Sequence, residues 1–505
     1  MRILQVTHEL PPHELAGTAI YTFNIAKAQA ERHEVFVFSR LQDPKVAPWR
    51  THTENRDGLT IRFMNRADLD WVPFDRSYSD PKGAAIFRSF VAEVRPDIIH
   101  FEHVVGLGVE VLDVPLELGI PAVYTLHDFW PMCPMGQRMC YTDGQICDPI
   151  DFGKCGKCVY GDGWHELSAR DDMKARADDR QGQATVVAGS LRDRWNRHFI
   201  SRVNETPGRF ARRPRAALIA ARRTLSDMGS AEAVPLPAYS PFEVRSSLLR
   251  EKLMRMDLLI TPSAFLRDQF MQHWQVPATK IIHSANGMDF SYVKALPKTP
   301  SSKLRFGFMG SIIRTKGVEV LVDAFLDAAA DHQDIELLVF GAPNRWSGDY
   351  LEGMKRKAAA HPAADRVRFM GRYSNRDVSE VLAQMDVLVL PSIWFENAPL
   401  TLNEAAMTGT PILVSDRGGM LEFVATNGYG RTFELGNPKS LAAVMRELAS
   451  DRSKAAAMVG SKPPIKPVRD NAEELVGIYK AILNRSYEAP ALDVQKRTRG
   501  GCLPV

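Results

Sequence analysis

The feature that most constrains the fold is a repeated alternation of short apolar runs with helical patterns. Residues 2–6 and 34–39 are runs rich in Val, Ile and Phe and predict buried strands. Residues 17–31 lie between them and predict an amphipathic helix. Strand, helix and strand in this order form the parallel βαβ unit, so the chain is predicted to be an α/β protein.

The alternation continues in two series, separated by a Lys-, Pro- and Ser-rich stretch around Pro297 and Pro300 that predicts a linker. The further strands predicted in the first series are 97–101, 121–126 and 257–261. Those of the second series are 304–309, 335–340, 366–369, 386–390 and 411–415, with helices such as 316–330 and 377–384 between them. Each series is long enough for its own sheet. We therefore predict two facing Rossmann-like, doubly wound parallel-sheet domains with a cleft between them.

Composition sets only broad limits. The chain has 505 residues, 45% hydrophobic and 25% charged, and its net charge of +4 does not indicate a nucleic-acid-binding protein. The apolar run at residues 2–6 is too short for the core of a signal peptide. There is no uncharged apolar run of the roughly 20 residues that a membrane-spanning helix needs. The expected location is the cytoplasm.

Residues 160–250 break the alternation and predict an insertion in the first domain. Within it, residues 192–223 contain ten arginines against Asp193 and Glu205, with apolar side chains interleaved. Such a segment is typical of a surface for anionic lipid or an acidic acceptor, which would place the protein on the inner face of the cell membrane. A solvated surface insertion is the simpler interpretation, and RNA binding is a third.

Two loops are candidates for anion binding, because ligands of parallel sheets bind beyond the carboxyl ends of strands, at helix N-termini. Residues 7–17 follow the first strand and end at Gly17, where a helix begins. Residues 310–317 follow strand 304–309 and contain two glycines, an arginine and a lysine, which suit a diphosphate. No G-x-G-x-x-G or G-x-x-x-x-G-K-[ST] stands in a suitable place, which argues against a dinucleotide dehydrogenase or a P-loop ATPase.

A pair of glutamates follows strand 386–390. Pro399 favours the first turn of a helix, so Glu396 is expected in the loop and Glu404 about one and a half turns into the helix. Carboxylates accept hydrogen bonds from the vicinal hydroxyls of ribose or of a pyranose. The glycine pair Gly418-Gly419 follows the next strand and would add backbone N–H groups to the same ligand.

The order of these motifs resembles that of the retaining glycosyltransferases of family 4, which have the GT-B fold. In the second series the resemblance is carried by Gly310, Lys316-Gly317, Phe369-Met370-Gly371, Leu390-Pro391-Ser392, the E-x7-E of Glu396 and Glu404, Thr408-Gly409-Thr410-Pro411 and Gly418-Gly419. In the first it is carried by Ala16-Gly17, His33-Glu34-Val35, Pro96 to His100, Thr125 to Asp128, Pro262-Ser263 and Asn286 to Asp289. The match covers nearly all of the chain outside 160–250 and the tail.

The resemblance implies a role for several residues. Lys316 would contact the donor diphosphate, Glu404 the ribose hydroxyls and Glu396 the hydroxyls of the transferred sugar. His127 would approach that sugar from the facing domain, and Gly17 would lie under the phosphates. The expected catalytic residues are Glu396, His127 and Lys316. The expected donor-binding set is Gly17, Gly310, Ser311, Arg314, Lys316, Gly341, Gly371, Glu396, Asn397, Ala398, Leu400, Glu404 and Gly418.

The resemblance also implies the reaction and the domains. A sugar would move from a nucleoside-diphosphate-sugar to a glycan or lipid-linked acceptor, with retention, without a bound metal and without a cofactor, in the synthesis of a cell-surface polysaccharide or glycolipid. The predicted parts are an acceptor-side domain (1–295), a donor domain (296–465), a helix crossing back to the first domain (466–486) and a tail (487–505).

Two positions depart from the family pattern. Ser311 stands where the family usually has arginine, so either Arg314 supplies the charge or diphosphate binding is weaker. Ala19 replaces the usual glutamate of the first domain. These departures leave open a non-catalytic protein that binds glycan or scaffolds other enzymes. A separate alternative keeps the fold but changes the reaction, as in a nucleotide-sugar epimerase or phosphorylase.

Five of the six cysteines lie within residues 133–158, and Cys502 lies in the tail. In a reducing compartment such a cluster indicates metal ligation or plain thiols rather than disulfides. Four of them would suit a structural zinc beside His127, namely Cys133, Cys147, Cys155 and Cys158. Buried thiols or a redox-labile pair are the alternative.

Overall fold

The structure is a computed structural model, and it describes residues 1–13, 16–66, 73–139, 144–161, 240–343, 347, 349–460 and 463–487. Nearly all of them belong to one compact unit, formed by Met1–Asp162 together with Pro241–Val505. The basic segment 192–223 and the tail from residue 488 lie outside the described residues. None of the helices in the described part is long and apolar enough to cross a membrane.

The first domain is built on an eight-stranded sheet with the strand order β3-β4-β2-β1-β5-β6-β7-β8. Its strands are β1 (Arg2–Thr7), β2 (Glu34–Leu41), β3 (Thr51–Arg56), β4 (Leu59–Asn65), β5 (Ile98–Phe101), β6 (Ala122–Thr125), β7 (Leu258–Thr261) and β8 (Ile281–His283). Neighbouring strands are parallel except for the antiparallel pair β3–β4. The carboxyl ends of β1, β5 and β6 therefore meet at one edge.

The second domain is built on a six-stranded, fully parallel sheet with the order β11-β10-β9-β12-β13-β14. Its strands are β9 (Leu304–Met309), β10 (Ile335–Phe340), β11 (Val367–Gly371), β12 (Val387–Leu390), β13 (Ile412–Ser415) and β14 (Arg431–Phe433). All residues of β9 and β12 are buried, because helices cover both faces of the sheet.

Helices connect the strands. Those of the first series are α1 (Gly17–Ala30), α2 (Pro81–Val94), α3 (Val114–Leu118), α4 (Phe152–Tyr160), α5 (Pro241–Met254) and α6 (Ala264–Trp274). Those that follow are α7 (Val318–Asp331), α8 (Tyr350–Ala359), α9 (Val378–Ala383), α10 (Leu400–Thr408), α11 (Gly418–Asn427), α12 (Pro438–Ser450), α13 (Ser453–Ala457) and α14 (Val468–Leu483). The predicted insertion 160–250 is described only at its two ends, where its last residues begin α5.

The two parallel sheets confirm the predicted α/β fold of two Rossmann-like domains. Every strand predicted above is present, with each end within two residues of its predicted position. The pattern does not predict β3, β4, β8 or β14. Strand β3 has the sequence Thr-His-Thr-Glu-Asn-Arg and lies at the exposed edge of its sheet, so it carries no apolar periodicity.

The chain returns to the first domain after the second sheet, and helix α14 packs against α1. Leu475 and Tyr479 belong to the same apolar core as Ile3 and Val37 of the first sheet. Asn471 lies fully buried in α14, and its Oδ1 accepts hydrogen bonds from the Tyr21 hydroxyl (2.9 Å) and from the backbone N–H of Gly287 (3.0 Å). The last described helix is thus part of the support for the first sheet.

Candidate functional site

The loop after β9 brings a lysine to the loop after β12. Residues Arg314–Lys316 form a short 3-10 turn, and Gly317 ends it with a left-handed backbone (φ 64°) before α7 begins. A Cβ atom on Gly317 would lie 1.9 Å from the carbonyl oxygen of Pro391, so only glycine allows the two loops to approach this closely. This contact explains why the helix begins two residues later than predicted. It also places the Lys316 Nζ 2.6 Å from Glu396 Oε1.

Glu396 is held by three donors that meet at one oxygen. Its Oε1 accepts from Lys316 Nζ (2.6 Å), Ser392 Oγ (2.7 Å) and Trp394 Nε1 (3.0 Å). The side chain is buried, and no residue in the described part of the chain hydrogen-bonds to Oε2. The arrangement fixes a carboxylate beside a cation and leaves its second oxygen as an acceptor for a ligand.

Glu404 lies in the second turn of α10, as predicted, and it is also buried. Its Oε1 accepts a hydrogen bond from the Tyr292 hydroxyl (3.1 Å). Burial raises the pKa of the Tyr373 phenol, and the nearby charge of Glu404 adds to that rise. Burial raises the pKa of Glu404 to about 7, although the hydrogen bond from Tyr292 opposes the shift. A carboxyl group in this position exchanges its proton near neutral pH.

His127 follows β6 at the carboxyl edge of the first sheet. Its Nε2 lies 2.7 Å from Glu102 Oε2, and its ring packs edge-on against Tyr21, with 5.3 Å between the ring centres. Glu102 is completely buried at the end of β5. Burial opposes the ionisation of Glu102, but His100 and His127 outweigh it, and the pKa of Glu102 lies below its usual value.

Asn397 joins the two domains next to Glu396. Its Oδ1 accepts a hydrogen bond from the Ser263 hydroxyl, and its Nδ2 donates to the backbone carbonyl of His127 (2.8 Å). The side chain is buried, so both of its polar atoms have partners within the protein. Of the polar groups of Asn397, this leaves those of the backbone for the predicted contact with a donor.

A second contact between the domains involves Glu422 in α11. Its carboxylate accepts hydrogen bonds from the backbone N–H groups of Ala264 (2.9 Å) and Phe265 (2.5 Å), at the start of α6. A carboxylate at a helix N-terminus compensates the positive end of the helix dipole. Asn397 bonds Ser263, the residue just before Ala264, so the two contacts between the domains meet at the start of α6.

Several predicted glycines are explained by contacts between loops. A Cβ atom on Gly341 would lie 1.8 Å from the carbonyl oxygen of Gly310, and one on Gly418 would lie 2.6 Å from that of Glu396. Gly17 faces the second domain, because its nearest neighbour in space is Leu400 at the start of α10 (3.9 Å from an ideal Cβ). These residues shape the site whether or not they touch a ligand.

The remaining predicted positions differ in exposure. Ser311, Arg314 and Gly371 are exposed, while Ala398 and Leu400 are partly buried. The site also contains functional candidates that the sequence interpretation missed, which are Glu102, Ser263, Tyr292, Ser392, Trp394 and Glu422. Only Ser392 and Ser263 belong to a motif that carries the family resemblance. For the others the signal is spatial, since nothing in the local sequence pairs Tyr292 with Glu404.

The four cysteines predicted to bind zinc converge on one small space. Cys133, Cys147, Cys155 and Cys158 line a cavity of about 10 Å³, the volume needed by one water molecule, and none of the four is in a disulfide. Burial, with a contribution from the three other thiols, raises the pKa of Cys155. However, no group of three or more His, Cys, Asp or Glu residues in the described part of the chain could hold a metal ion. The geometry therefore does not support the zinc prediction, and a raised thiol pKa is typical of the alternative of buried, unreactive thiols.

Comparison with known proteins identifies the family. A model described as Glycosyltransferase Family 4 matches residues 15–154, and one described as Glycosyl transferases group 1 matches residues 294–462. Together they match more than half of the chain. This chain belongs to the family 4 glycosyltransferases. The resemblance inferred from the motifs is thereby confirmed.

The curated relatives of this chain include a glycogen synthase and a lipopolysaccharide mannosyltransferase. Glycogen synthase of Mycobacterium tuberculosis is 28% identical over 215 residues, which cover 42% of this chain and 49% of the relative. The lipopolysaccharide core biosynthesis mannosyltransferase LpsB of Rhizobium meliloti is 29% identical over 190 residues, covering 36% and 51%. The chain thus spans about half the length of these relatives.

A solved structure extends the likeness to nearly the whole chain. HepE of Anabaena, crystallised in complex with UDP and glucose, superposes with a TM-score of 0.58 over 95% of this chain and 99% of HepE, at 14% identity. A likeness at this identity shows the fold, which is GT-B, as predicted.

Proposed function

We propose that this glycosyltransferase moves a sugar from a nucleoside-diphosphate-sugar donor to a glycan or a lipid-linked acceptor. The observation that carries the proposal is the contact of Lys316 with Glu396, where the loops after β9 and β12 meet. The site combines one cation, one fixed carboxylate and, in the helix that follows, the titrating carboxylate of Glu404, and the neighbouring Asn397 bonds the backbone of His127. Diphosphate, ribose and pyranose each find a complementary group in it.

In this proposal Lys316 stabilises the departing diphosphate. Its ammonium group has three hydrogens, and the described residues take one of them, through Glu396. The other two are available to a ligand near the start of α7, where the helix dipole also favours an anion. Charge stabilisation of this kind acts on the leaving group where negative charge accumulates during the reaction.

The two glutamates and His127 would hold the remainder of the donor. Glu396 Oε2 accepts a hydrogen bond from a hydroxyl of the transferred sugar, and Glu404 accepts from the ribose. His127 contacts the sugar from the facing domain. The complex of HepE with UDP and glucose supports a nucleoside diphosphate as the leaving group.

We also propose that the transfer retains the anomeric configuration and needs no bound metal. Lys316 supplies near the diphosphate the positive charge that a divalent cation would otherwise provide. The anomeric configuration of the first product, followed by proton NMR, tests retention. Turnover that survives an excess of EDTA supports independence from metal, and loss of turnover that magnesium restores would contradict it.

The class of acceptor is proposed from the relatives. Glycogen synthase and the lipopolysaccharide core mannosyltransferase both extend glycans, which favours a polysaccharide or glycolipid acceptor. The basic segment 192–223 suggests attachment to anionic membrane. Co-sedimentation with vesicles of phosphatidylglycerol tests this, and binding that survives deletion of 192–223 or high salt would count against it.

The experiment that tests the function is a screen of the full chain against nucleoside-diphosphate-sugars, read by diphosphate release with and without candidate glycan acceptors. We expect acceptor-dependent release with one donor, and loss of it in Lys316→Ala. Lys355→Ala is the matched control, since Lys355 pairs with Glu352 on an exposed surface. Isomerised donor without an acceptor would favour an epimerase. No binding of any nucleoside diphosphate by calorimetry would favour a non-catalytic protein.

Structural zinc stays a hypothesis that rests on the convergence of the four cysteines on one cavity. Metal analysis of the purified chain tests it. Zinc below about a third of an equivalent would rule out a structural site, because such sites bind zinc tightly enough to survive purification.

A further inference from the structure

A network of buried polar side chains extends through the first domain from helix α14 to His127. The Tyr479 hydroxyl lies 2.5 Å from His100 Nδ1, and His100 Nε2 lies 2.7 Å from the Thr125 hydroxyl. Glu102 Oε1 lies 3.6 Å from the same His100 nitrogen, and Glu102 Oε2 reaches His127. The side chains of His100, Glu102 and Tyr479 are completely buried, so each atom that they leave unpaired costs free energy.

Glu102 meets His127 as a carboxylate. Burial alone would favour its neutral form, but the two neighbouring histidines, His100 and His127, and the hydrogen bond from His127 hold its pKa below the usual range. Its Oε1 has no hydrogen-bond partner among the described residues, so its short hydrogen bond is the one between Oε2 and His127. A carboxylate only accepts hydrogen bonds. The 2.7 Å contact therefore requires a hydrogen on His127 Nε2.

The requirement decides which nitrogen of the neutral ring has a free lone pair. With hydrogen on Nε2, Nδ1 is an acceptor, and it has no hydrogen-bond partner among the described residues and is not one of their buried unpaired atoms. The orientation of the ring is fixed as well. Tyr21 packs against one side of the imidazole, and Asn397 holds the backbone carbonyl of His127.

We propose that Glu102 is a positioning residue, which fixes the tautomer and the ring orientation of His127 so that Nδ1 accepts a hydrogen bond from a hydroxyl of the donor sugar. This rests on the function proposed above, and it adds the residue that makes His127 selective for a hydroxyl. An acceptor nitrogen in a fixed position distinguishes a sugar with a hydroxyl there from one that lacks it. The C-terminal helix takes part, because Tyr479 holds His100 next to Glu102.

A purely structural role for Glu102 predicts something different. In that event Glu102→Gln, which keeps the shape, would alter stability alone. If Glu102 positions His127, the amide of the Glu102→Gln variant cannot replace it. The amide presents either an oxygen or an NH₂ group to the ring, so it no longer enforces one tautomer. Loss of tautomer control with intact geometry is known to lower turnover strongly in carboxylate–histidine pairs.

The first measurement reads the tautomer directly. Nitrogen-15 NMR of the histidine rings is recorded for the full chain at about pH 8.5, two units above the usual imidazole pKa, and the His127 signals are assigned with His127→Gln. We expect hydrogen on Nε2 in the wild type and a mixture of tautomers in Glu102→Gln. Hydrogen on Nδ1 in the wild type, or an unchanged spectrum in the variant, would overturn the proposal.

The second measurement separates turnover from binding. We expect kcat of Glu102→Gln to fall by at least about tenfold, while the Kd for the nucleoside diphosphate alone stays within about twofold. Glu110→Gln is the matched control, because Glu110 binds Ser79 and Asp80 through hydrogen bonds away from His127. Full turnover in Glu102→Gln with a changed tautomer would refute the proposal and leave the transferase function intact. Absence of turnover in the wild type would count against the proposed function, and the NMR result would still decide the tautomer.

Discussion

The loop that carries Glu396 and the helix that carries Glu404 can be compared directly, since the two glutamates lie eight residues apart in one domain. At Glu396, an ammonium group, a hydroxyl and an indole N–H all donate to one carboxylate oxygen. At Glu404, a single tyrosine hydroxyl donates among the described residues. Burial raises the pKa of Glu404, and the hydrogen bond from that hydroxyl opposes the shift. Both side chains are equally buried.

The comparison shows that the motif does not specify the electrostatics of its two carboxylates. Three donors, one of them a cation, offset the desolvation of a charge, whereas one neutral donor does not. Glu404 therefore has a pKa of about 7. A ligand whose hydroxyls donate to Glu404 would stabilise its ionised form. We therefore expect donor binding to release a proton near neutral pH.

The largest expected effect comes from removing the cation on the Glu396 side. Lys316→Ala deletes the charge proposed to stabilise the diphosphate and leaves Glu396 buried with two neutral donors. We expect kcat/KM for transfer to fall by at least about a hundredfold, the scale seen when one preorganised group at a developing charge is lost. Retained activity in this variant, with Lys355→Ala as reference, would show that Lys316 does not stabilise the leaving group.

A smaller effect is expected in the stability of the Glu404 side. The folded-state pKa of about 7 lies above the value of an unfolded glutamate, about 4.3. Between these values the folded chain keeps a proton that the unfolded chain has lost, so the free energy of unfolding falls as pH rises through this window and is constant outside it. The total fall is on the order of 4 kcal/mol.

Glu404→Gln should remove this dependence. Urea unfolding of wild type and variant at pH 4 and pH 8 measures it, and the stability of the variant relative to the wild type should be greater at pH 8 than at pH 4. Glu352→Gln is the control, because Glu352 is exposed. A pH-independent difference would show that folding does not raise the pKa of Glu404.

A still smaller effect is expected from removing the hydroxyl that donates to Glu404. The Tyr292 hydroxyl lowers the pKa of Glu404, so Tyr292→Phe should raise it and move the pH at which donor affinity increases to a higher value. Loss of one hydrogen bond to a charged group corresponds to about 1.5 kcal/mol, or about one pH unit. Calorimetric titration of the nucleoside diphosphate between pH 6 and pH 9 detects the shift. If this pH does not change in Tyr292→Phe, a group other than Glu404 controls the affinity.

The smallest effect is expected at Trp394. In Trp394→Phe the ring is retained in a similar shape, but Glu396 loses one of three donors while Lys316 and Ser392 remain. We expect donor affinity to change by less than about threefold, because the two remaining donors satisfy the oxygen. A drop as large as that of Lys316→Ala would show that the indole contacts the ligand itself.

Local patterns in the sequence were sufficient for ten of the fourteen strands in the described part of the chain, and for placing Glu396 in a loop and Glu404 in a helix. Strands such as β9 and β12 are recognisable because both faces are buried, which demands a continuous apolar run. Strand β3 escaped prediction because an exposed edge imposes no such demand. The start of α7 was misplaced because the contact of Gly317 with Pro391 is made between distant loops.

The sequence by itself determined the two-domain α/β architecture and which side chains stand at the ends of the strands, because burial periodicity and loop position are local properties. Only the tertiary structure decided the partners of those side chains. Lys316 meets Glu396 across 80 positions, and Asn397 meets His127 across 270. Those partners, through desolvation and hydrogen bonding, decide that Glu404 titrates near neutrality and that Glu102 stays ionised.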